Sequence, residues 1–249
     1  MDVQDDGHVH CDDESCVAID ERRNEQIAQP WPILLLGLYG WNLNSKDLAA
    51  KYDQFARWYD CVEGLLGLLG VSKLRQAVFS EASGKVLEVA IGTGRNLQYY
   101  RPNCEIIAVD VSGEMLKVAR ERGAKLNVNI QFALADAEAL PFRDRCFDTV
   151  VSSLSTCTFP NPANALQEMV RVSKPSIQIL LLEHGRSDRQ WLGRWQDRHA
   201  DKFAKPFGCH WNREPLELAK AAGLKIIRVR RNFFGVFHRI AAVPSTLPS

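Results

Sequence analysis

Three groups of residues have the types and spacing that binding and catalysis need. The first is Glu88-x-Ala90-x-Gly92-x-Gly94, followed by Arg95 and Asn96, with Asp110-Val111-Ser112 further along the chain. Gly92 and Gly94 let the backbone turn tightly and leave room for a ligand to lie against it. Asp110 closes the strand-like stretch Glu105 to Val109, and a carboxylate there can accept both hydroxyls of a ribose. The second group is Glu183-His184 and the third is His210, which precedes Arg213-Glu214. An imidazole can take a proton near neutral pH, so both histidines are candidate bases. Each also has a plain reading as a structural hydrogen-bonding group. Glu183 could orient His184, or the backbone could.

These groups need rigid elements behind them. Val86, Leu87, Val89, Ala90 and Ile91 form a short apolar run, as expected of a strand buried on both faces. Leu97 to Tyr100 reads as the first turns of a helix, and Glu105 to Val109 as a second strand. This opens a β-α-β unit, but not the nicotinamide-dinucleotide form. An acid lies inside the first strand, and no third glycine follows four residues after Gly94. Ser112 can cap a helix running through Glu121. Ile130 to Leu134, Thr149 to Ser153 and Ile177 to Leu182 read as the next strands, and Ala163 to Val172 as an amphipathic helix. Gln190 to Phe207 reads as a helical insert. Asn212 is expected to cap the last helix, with Pro215 in its first turn. Leu224 to Val229 and Val236 to Ala242 complete an antiparallel pair.

The glycine loop resembles that of the class I S-adenosylmethionine-dependent methyltransferases, whose pattern is acid-x-Gly-x-Gly-x-Gly. Ala90 stands where that family has its first glycine. The resemblance extends from about Lys51 to about Pro244, through Asp136-Ala137, Leu140-Pro141-Phe142 and Cys146-Phe147-Asp148. It implies an α/β fold with a seven-stranded doubly wound sheet, the last strand antiparallel and helices on both faces. It also implies S-adenosylmethionine as cofactor, held by Glu88, Ala90, Gly92, Gly94, Asn96, Asp110, Val111, Met115, Asp136, Ala137 and Ser153. Asp136 and the amide of Ala137 suit adenine, pairing an acceptor with its amino group and a donor with a ring nitrogen. Met115 would lie under the adenine, or simply pack its helix on the sheet.

Other stretches resemble particular branches of that family. Lys51-Tyr52-Asp53 with Tyr59-Asp60 is similar to the lid segment of the quinone-biosynthesis C-methyltransferases. Tyr52 and Tyr59 share a helical face, so either they cover the cofactor or they pack as core aromatics. Leu182-Glu183-His184 and Gly208-Cys209 resemble membrane-associated proteins that methylate alkyl thiols, and a yeast inner-mitochondrial-membrane relative. Lys174-Pro175-Ser176 departs from the usual Lys-Pro-Gly-Gly turn. No Asn-Pro-Pro-Tyr or Asp-Pro-Pro-Tyr follows strand four, which argues against methylation of nucleic-acid bases. The expected acceptor is a small molecule, a thiol, quinol or lipid-like compound. The competing classes are a methyltransferase-like assembly protein with weak or no catalysis, and an RNA or protein methyltransferase.

The 249 residues fit one α/β domain with a large core. Lys and Arg total 31 against 30 Asp and Glu, so the whole molecule has no field that would draw in nucleic acid. The balance conceals an acidic Asp2 to Glu25 and a basic Arg171 to Arg239. Arg228, Arg230 and Arg231 make either a solvated face or a patch for an anionic partner. Residues 1–26 read as a mobile acidic tail, without a secretory signal. Its His8, His10, Cys11 and Cys16 lack the second pair of a zinc site, and no metal is expected. Residues 27–43 are apolar with Trp31, Tyr39 and Trp41. They either touch a membrane surface or pack on the domain. The rest divides into a helical lid ending near residue 80, a methyltransferase domain over 81–244 and a short tail, 245–249. Seven scattered cysteines are not a disulfide framework and suit a reducing compartment, cytoplasm or mitochondrion.

Overall fold

A computed structural model describes residues 45–245, excepting the side chains at 55–63 and at a few other helix and strand positions. The expectations for residues 1–26 and 27–43 therefore lie outside the described residues, as do the last four positions and the Tyr59 side chain. Seven strands form one sheet: β1 (Lys85–Val89), β2 (Glu105–Asp110), β3 (Ile130–Leu134), β4 (Phe147–Ser153), β5 (Ser173–His184), β6 (Leu224–Asn232) and β7 (Phe237–Pro244). Their order is β3-β2-β1-β4-β5-β7-β6. β7 is antiparallel to both β5 and β6, while the first five strands pair in parallel.

The helices are α1 (Ser45–Leu66), α2 (Ser72–Phe79), α3 (Gly113–Leu126), α4 (Pro162–Val172), α5 (Gln190–Phe207) and α6 (Pro215–Ala221). Strand alternation explains the two layers. Leu87, Ile107, Ile179 and Leu181 face a core closed by Leu166 and Met169 of α4 and Ala219 of α6. Their neighbours Val86, Ile106, Ala108 and Leu180 face the opposite core, closed by Leu74 and Phe79 of α2 and Leu116 of α3. Each parallel strand is thus apolar on both sides because helices cover both sides. The strand order reverses between β1 and β4, which opens a crevice at the carboxyl ends of those strands.

Three local expectations are corrected. Leu97 to Tyr100 does not start an α-helix but forms one 3₁₀ turn, Leu97–Tyr99, with Tyr100 extended. Pro102 lacks the amide that a continuing helix needs and biases Arg101 away from helical backbone. The helical lid expected to end near residue 80 is broken over Gly67–Val71, where Gly70 takes φ 105°. Glycine adopts that backbone without the Cβ penalty. Asn212 does not cap α6. Its amide donates to Asp197 Oδ1 at 3.3 Å, and the N-cap position belongs to Glu214, with Pro215 in the first turn as expected. Ser112 does cap α3, its Oγ accepting the Met115 amide at 3.1 Å.

Candidate active site

The crevice is a cleft of about 810 Å³ including its mouth, within the range of small-molecule sites. Asp110 lines it from the tip of β2. One carboxylate oxygen accepts the Gly92 amide at 2.8 Å and the other the Ser112 amide at 2.9 Å. Asp110 thereby ties the glycine loop to the start of α3, with lone pairs left for a ligand. Burial, followed by smaller opposing hydrogen bonds, moves its pKa up to about 6. Gly92 has φ 58°, and a Cβ added there would meet nothing within 4 Å, so the backbone faces open cleft. A bound molecule can approach the main chain here more closely than any side chain would permit.

Gly94 serves a different purpose. A Cβ there would lie 3.1 Å from Leu97 Cδ1 and 3.2 Å from the Ala119 backbone, so this glycine lets the loop pack on α3. Ala90 holds φ 56°, which explains physically why a glycine suits the position. Left-handed backbone costs an L-residue roughly 1–2 kcal/mol. Alanine tolerates it, but a β-branched side chain does not. Ala90→Gly is expected to change stability by less than about 1 kcal/mol, since relieved strain is offset by extra unfolded-chain freedom. Ala90→Val is expected to cost at least about 2 kcal/mol. Urea unfolding of the two variants checks this; equal costs would mean that backbone strain plays no part.

Ala90, Val111, Met115, Asp136, Ala137 and Ser153 also line the cleft. Met115 is 1% exposed, so it both lines the cleft and packs its helix. Asp136 Oδ1 accepts the Glu138 amide at 2.9 Å, which fixes the turn after β3. Glu88 and Asn96 stand behind the wall. Glu88 is wholly buried and accepts Asn96 Nδ2 at 2.6 Å and the Tyr100 hydroxyl at 2.9 Å. Burial, against those hydrogen bonds, raises its pKa to about 7. Asn96 Nδ2 also donates to Ser153 Oγ at 2.9 Å. The expected set thus divides into residues on the cleft surface and residues that brace it.

Sequence reading missed Arg75. Its Nη1 donates to Asn96 Oδ1 at 2.5 Å and to Ser153 Oγ at 3.1 Å, and it lines the cleft from α2. The available signal was an arginine among the apolar residues of a short helix. It also missed the anchor of α1. Asp53 Oδ1 accepts the Ser112 hydroxyl at 2.5 Å and the Glu114 amide at 3.2 Å, which docks α1 on the N-terminus of α3. Negative charge is favoured at that helix end. Ser45, Leu48 and Tyr52 of α1 then form one side of the cleft. Burial raises the Tyr52 phenol well above its usual range, so it stays neutral and able to donate.

Glu183 and His184 diverge at the tip of β5. The Glu183 carboxylate is fully buried and accepts the amides of Ser155 and Thr156 at 3.0 and 3.2 Å. Burial raises its pKa to about 7. It braces the β4–α4 turn. His184 instead presents Nε2 to Cys209 Sγ at 3.4 Å. His210 donates its backbone amide to Cys157 O at 2.9 Å, and burial lowers the pKa of its ring. Hydrogen bonding between the two thiols shifts them apart, Cys157 upward and Cys209 downward. None of Glu183, His184 and His210 is among the residues lining the cleft. Its wall does include Leu154, Ser155 and Thr158, from the same β4–α4 turn that carries Cys157.

A family model described as "Methyltransferase domain" matches residues 87–181. The chain is 28% identical over 222 residues to the mitochondrial methyltransferase OMS1 of Saccharomyces cerevisiae, which covers 80% of this chain and 47% of that protein. It thus spans about half the length of that relative. It is 30% identical over 175 residues to the ubiquinone/menaquinone biosynthesis C-methyltransferase UbiE of Pseudomonas savastanoi, covering 66% of this chain and 68% of that protein. The solved structure of Haemonchus contortus phosphoethanolamine N-methyltransferase 2 in complex with S-adenosyl-L-methionine superposes with a TM-score of 0.56 at 16% identity. The match covers 70% of this chain and 53% of that one, and is a likeness of fold alone.

Proposed function

The chain belongs to the class I S-adenosylmethionine-dependent methyltransferases, and from that premise we propose that it methylates a small molecule: a thiol, a quinol or a lipid-like acceptor. The observation that carries this reading is the Asp110 carboxylate, held between the Gly92 and Ser112 amides in the wall of the cleft. S-adenosylmethionine supplies an activated methyl group when bound. The chain's part is to bind, align and exclude water, since such displacements depend chiefly on proximity and orientation.

In this reading Asp110 takes the ribose hydroxyls, and Gly92 admits the chain of the amino acid to the loop. Asp136 and Ala137 take the adenine. Tyr52 and its neighbours on α1 close the cleft as a lid, whereas α2, whose Leu74 and Phe79 pack in the core, belongs with residues 81–244 to the methyltransferase domain. Glu88, Asn96, Arg75 and Gly94 keep the loop in place. The acceptor side falls at the β5 tip, where His184 helps the acceptor lose its proton. Glu183 positions the neighbouring turn.

The quinone-methylating relative supports a small acceptor, and the mitochondrial relative supports a mitochondrial site of action. Among the described residues no helix is long and apolar enough to cross a membrane. Contact of residues 27–43 with a membrane surface remains part of the proposal and is tested by vesicle flotation with and without that segment.

Saturating S-adenosylmethionine at about a hundred times its Kd is expected to stabilise the native state by about 2.7 kcal/mol. A thermal melt with the cofactor and with S-adenosylhomocysteine reads this. Labelled cofactor with a panel of alkyl thiols, quinols and lipids then tests the acceptor. A stabilised protein that methylates nothing in the panel would favour the assembly-protein reading, and steeply salt-dependent RNA binding would favour an RNA acceptor. Once an acceptor is found, His184→Gln is expected to lower turnover roughly 10²-fold with cofactor affinity unchanged. The deficit should shrink as pH passes the acceptor's own pKa. An unchanged rate would remove His184 from the acceptor side.

A further inference from the structure

Three residues far apart in sequence meet beside the cleft. Cys157 comes from the β4–α4 turn, His184 from the tip of β5, and Cys209 from the segment after α5. Their sulfur and ring-nitrogen atoms all lie within 4.8 Å of one another. We propose that Cys157, His184 and Cys209 form a three-ligand site for a thiophilic divalent cation of the zinc class, with its fourth position available to the methyl acceptor.

The donor set selects the metal class. Two sulfurs and one imidazole suit zinc-like ions and not magnesium or calcium, which prefer oxygen. The spacing suits it as well. Bonds of about 2.3 Å to sulfur and about 2.1 Å to nitrogen in a tetrahedron place sulfur and nitrogen about 3.6 Å apart. Cys209 Sγ and His184 Nε2 are 3.4 Å apart. The site is also braced from outside. His210 donates its amide to Cys157 O at 2.9 Å, and Arg186 donates its amide to Arg213 O at 2.9 Å. Arg213 Nη1 donates to Thr156 O at 2.5 Å and to Phe159 O at 2.8 Å, gripping the turn that carries Cys157. Gln196 Nε2 joins Gly185 O to Trp211 O across the other side, at 3.0 and 3.3 Å. Ligands fixed by such second contacts need little rearrangement to bind an ion.

Three protein ligands and an open position are the pattern of sites that bind a reacting group, whereas closed four-ligand sites are structural. The role of the open position rests on the small-acceptor reading above. A thiol entering it forms a metal–sulfur bond and releases its proton to solvent, with no change of oxidation state. The result is a thiolate at neutral pH, held near the cleft.

The test uses the full chain, reduced and freed of metal, with Co²⁺ as the optical probe and no S-adenosylmethionine present. The expected result is one equivalent bound, with a thiolate-to-cobalt charge-transfer band and the visible bands of a tetrahedral ion, bleached by Zn²⁺. Cys157→Ser and Cys209→Ser should each weaken binding at least about a hundredfold, since a lost ligand costs more than a lost outer contact. Cys11→Ser/Cys16→Ser should leave the spectrum intact. Bands that vanish in that double variant, or survive Cys209→Ser, overturn the proposal. Alkylation mapping of the parent needs no variant: Zn²⁺ should protect Cys157 and Cys209, and equal labelling of Cys209 with and without Zn²⁺ overturns it. A small alkyl thiol should shift the visible cobalt bands, and an unchanged spectrum at saturating thiol overturns the open position. Because these readouts need no cofactor, their failure leaves the S-adenosylmethionine melt unaffected, and the converse also holds.

Discussion

Asp110→Ala is expected to weaken S-adenosylmethionine binding by at least about a hundredfold. Two hydroxyls donating to one carboxylate make charge-assisted hydrogen bonds worth about 1.5–3 kcal/mol each, so losing both removes about 3 kcal/mol or more. The substitution also releases the Gly92 and Ser112 amides that the carboxylate accepts, and the loop loses its tether to α3. Asp110→Asn separates the two effects, because an amide oxygen can still hold one amide but lacks the charge. It should fall between alanine and the parent.

The same residue sets a pH dependence. Burial raises the free carboxyl to about 6, and only the ionised form accepts two hydroxyls. Affinity should be full above that value and decline as pH falls through it, approaching tenfold per unit below. Calorimetric titration between pH 5 and 8 measures both effects. A flat profile in the parent, or a parent-like affinity in Asp110→Ala, would remove the carboxylate from the ribose site.

Gly185→Ala is expected to destabilise the fold by about 3 kcal/mol or more, the upper end of overpacking costs. An added Cβ would sit 2.5 Å from the Arg213 carbonyl oxygen and would also collide with the Pro215 ring. Both obstacles are backbone or ring atoms that cannot swing away. Gly185 is pinned between strands as well, donating its amide to Val236 O at 2.8 Å. The nearest relief is to push out the segment from Gly208 to Pro215, which carries Cys209. The variant should therefore melt earlier and lose the Co²⁺ spectrum together. Gly113→Ala provides the control, since a Cβ there meets nothing within 4 Å. A melt for Gly185→Ala within about 1 kcal/mol of the parent would show that the segment yields freely.

Local pattern made much of this readable in the sequence. Strand β3 and helix α5 have the expected limits, Ile130–Leu134 and Gln190–Phe207. The first is a five-residue apolar-rich run between Asn129 and the Ala135-Asp136 step, and the second a long stretch free of internal glycine breaks beyond Gly193. Asp110 was legible because a strand and a glycine loop fix where its carboxylate must be. The site residues that were missed share one cause, contact between distant segments. Nothing near Asp53 announces that it will accept the Ser112 hydroxyl across the domain. Nothing near Arg75 announces Asn96 and Ser153. Cys157, His184 and Cys209 are isolated residues in the sequence, with none of the paired spacing by which metal sites are recognised. Only the return of β5 to the switch-point edge, and of the chain after α5 to the β5 tip, brings them together.

Helix α1 gives the cleft a side wall and is hooked to α3 through Asp53 and to α5 through Lys51, whose Nζ donates to Lys205 O at 2.8 Å. On the proposed lid reading, a nucleoside in the cleft would leave only once those hooks open. Entry should be slower than diffusion allows, and the spent nucleoside should depart more slowly still. On that reading the enzyme's pace would be set by how often α1 swings aside. Asp53→Ala should let the product escape sooner while loosening its grip on the incoming cofactor, raising kcat and KM together.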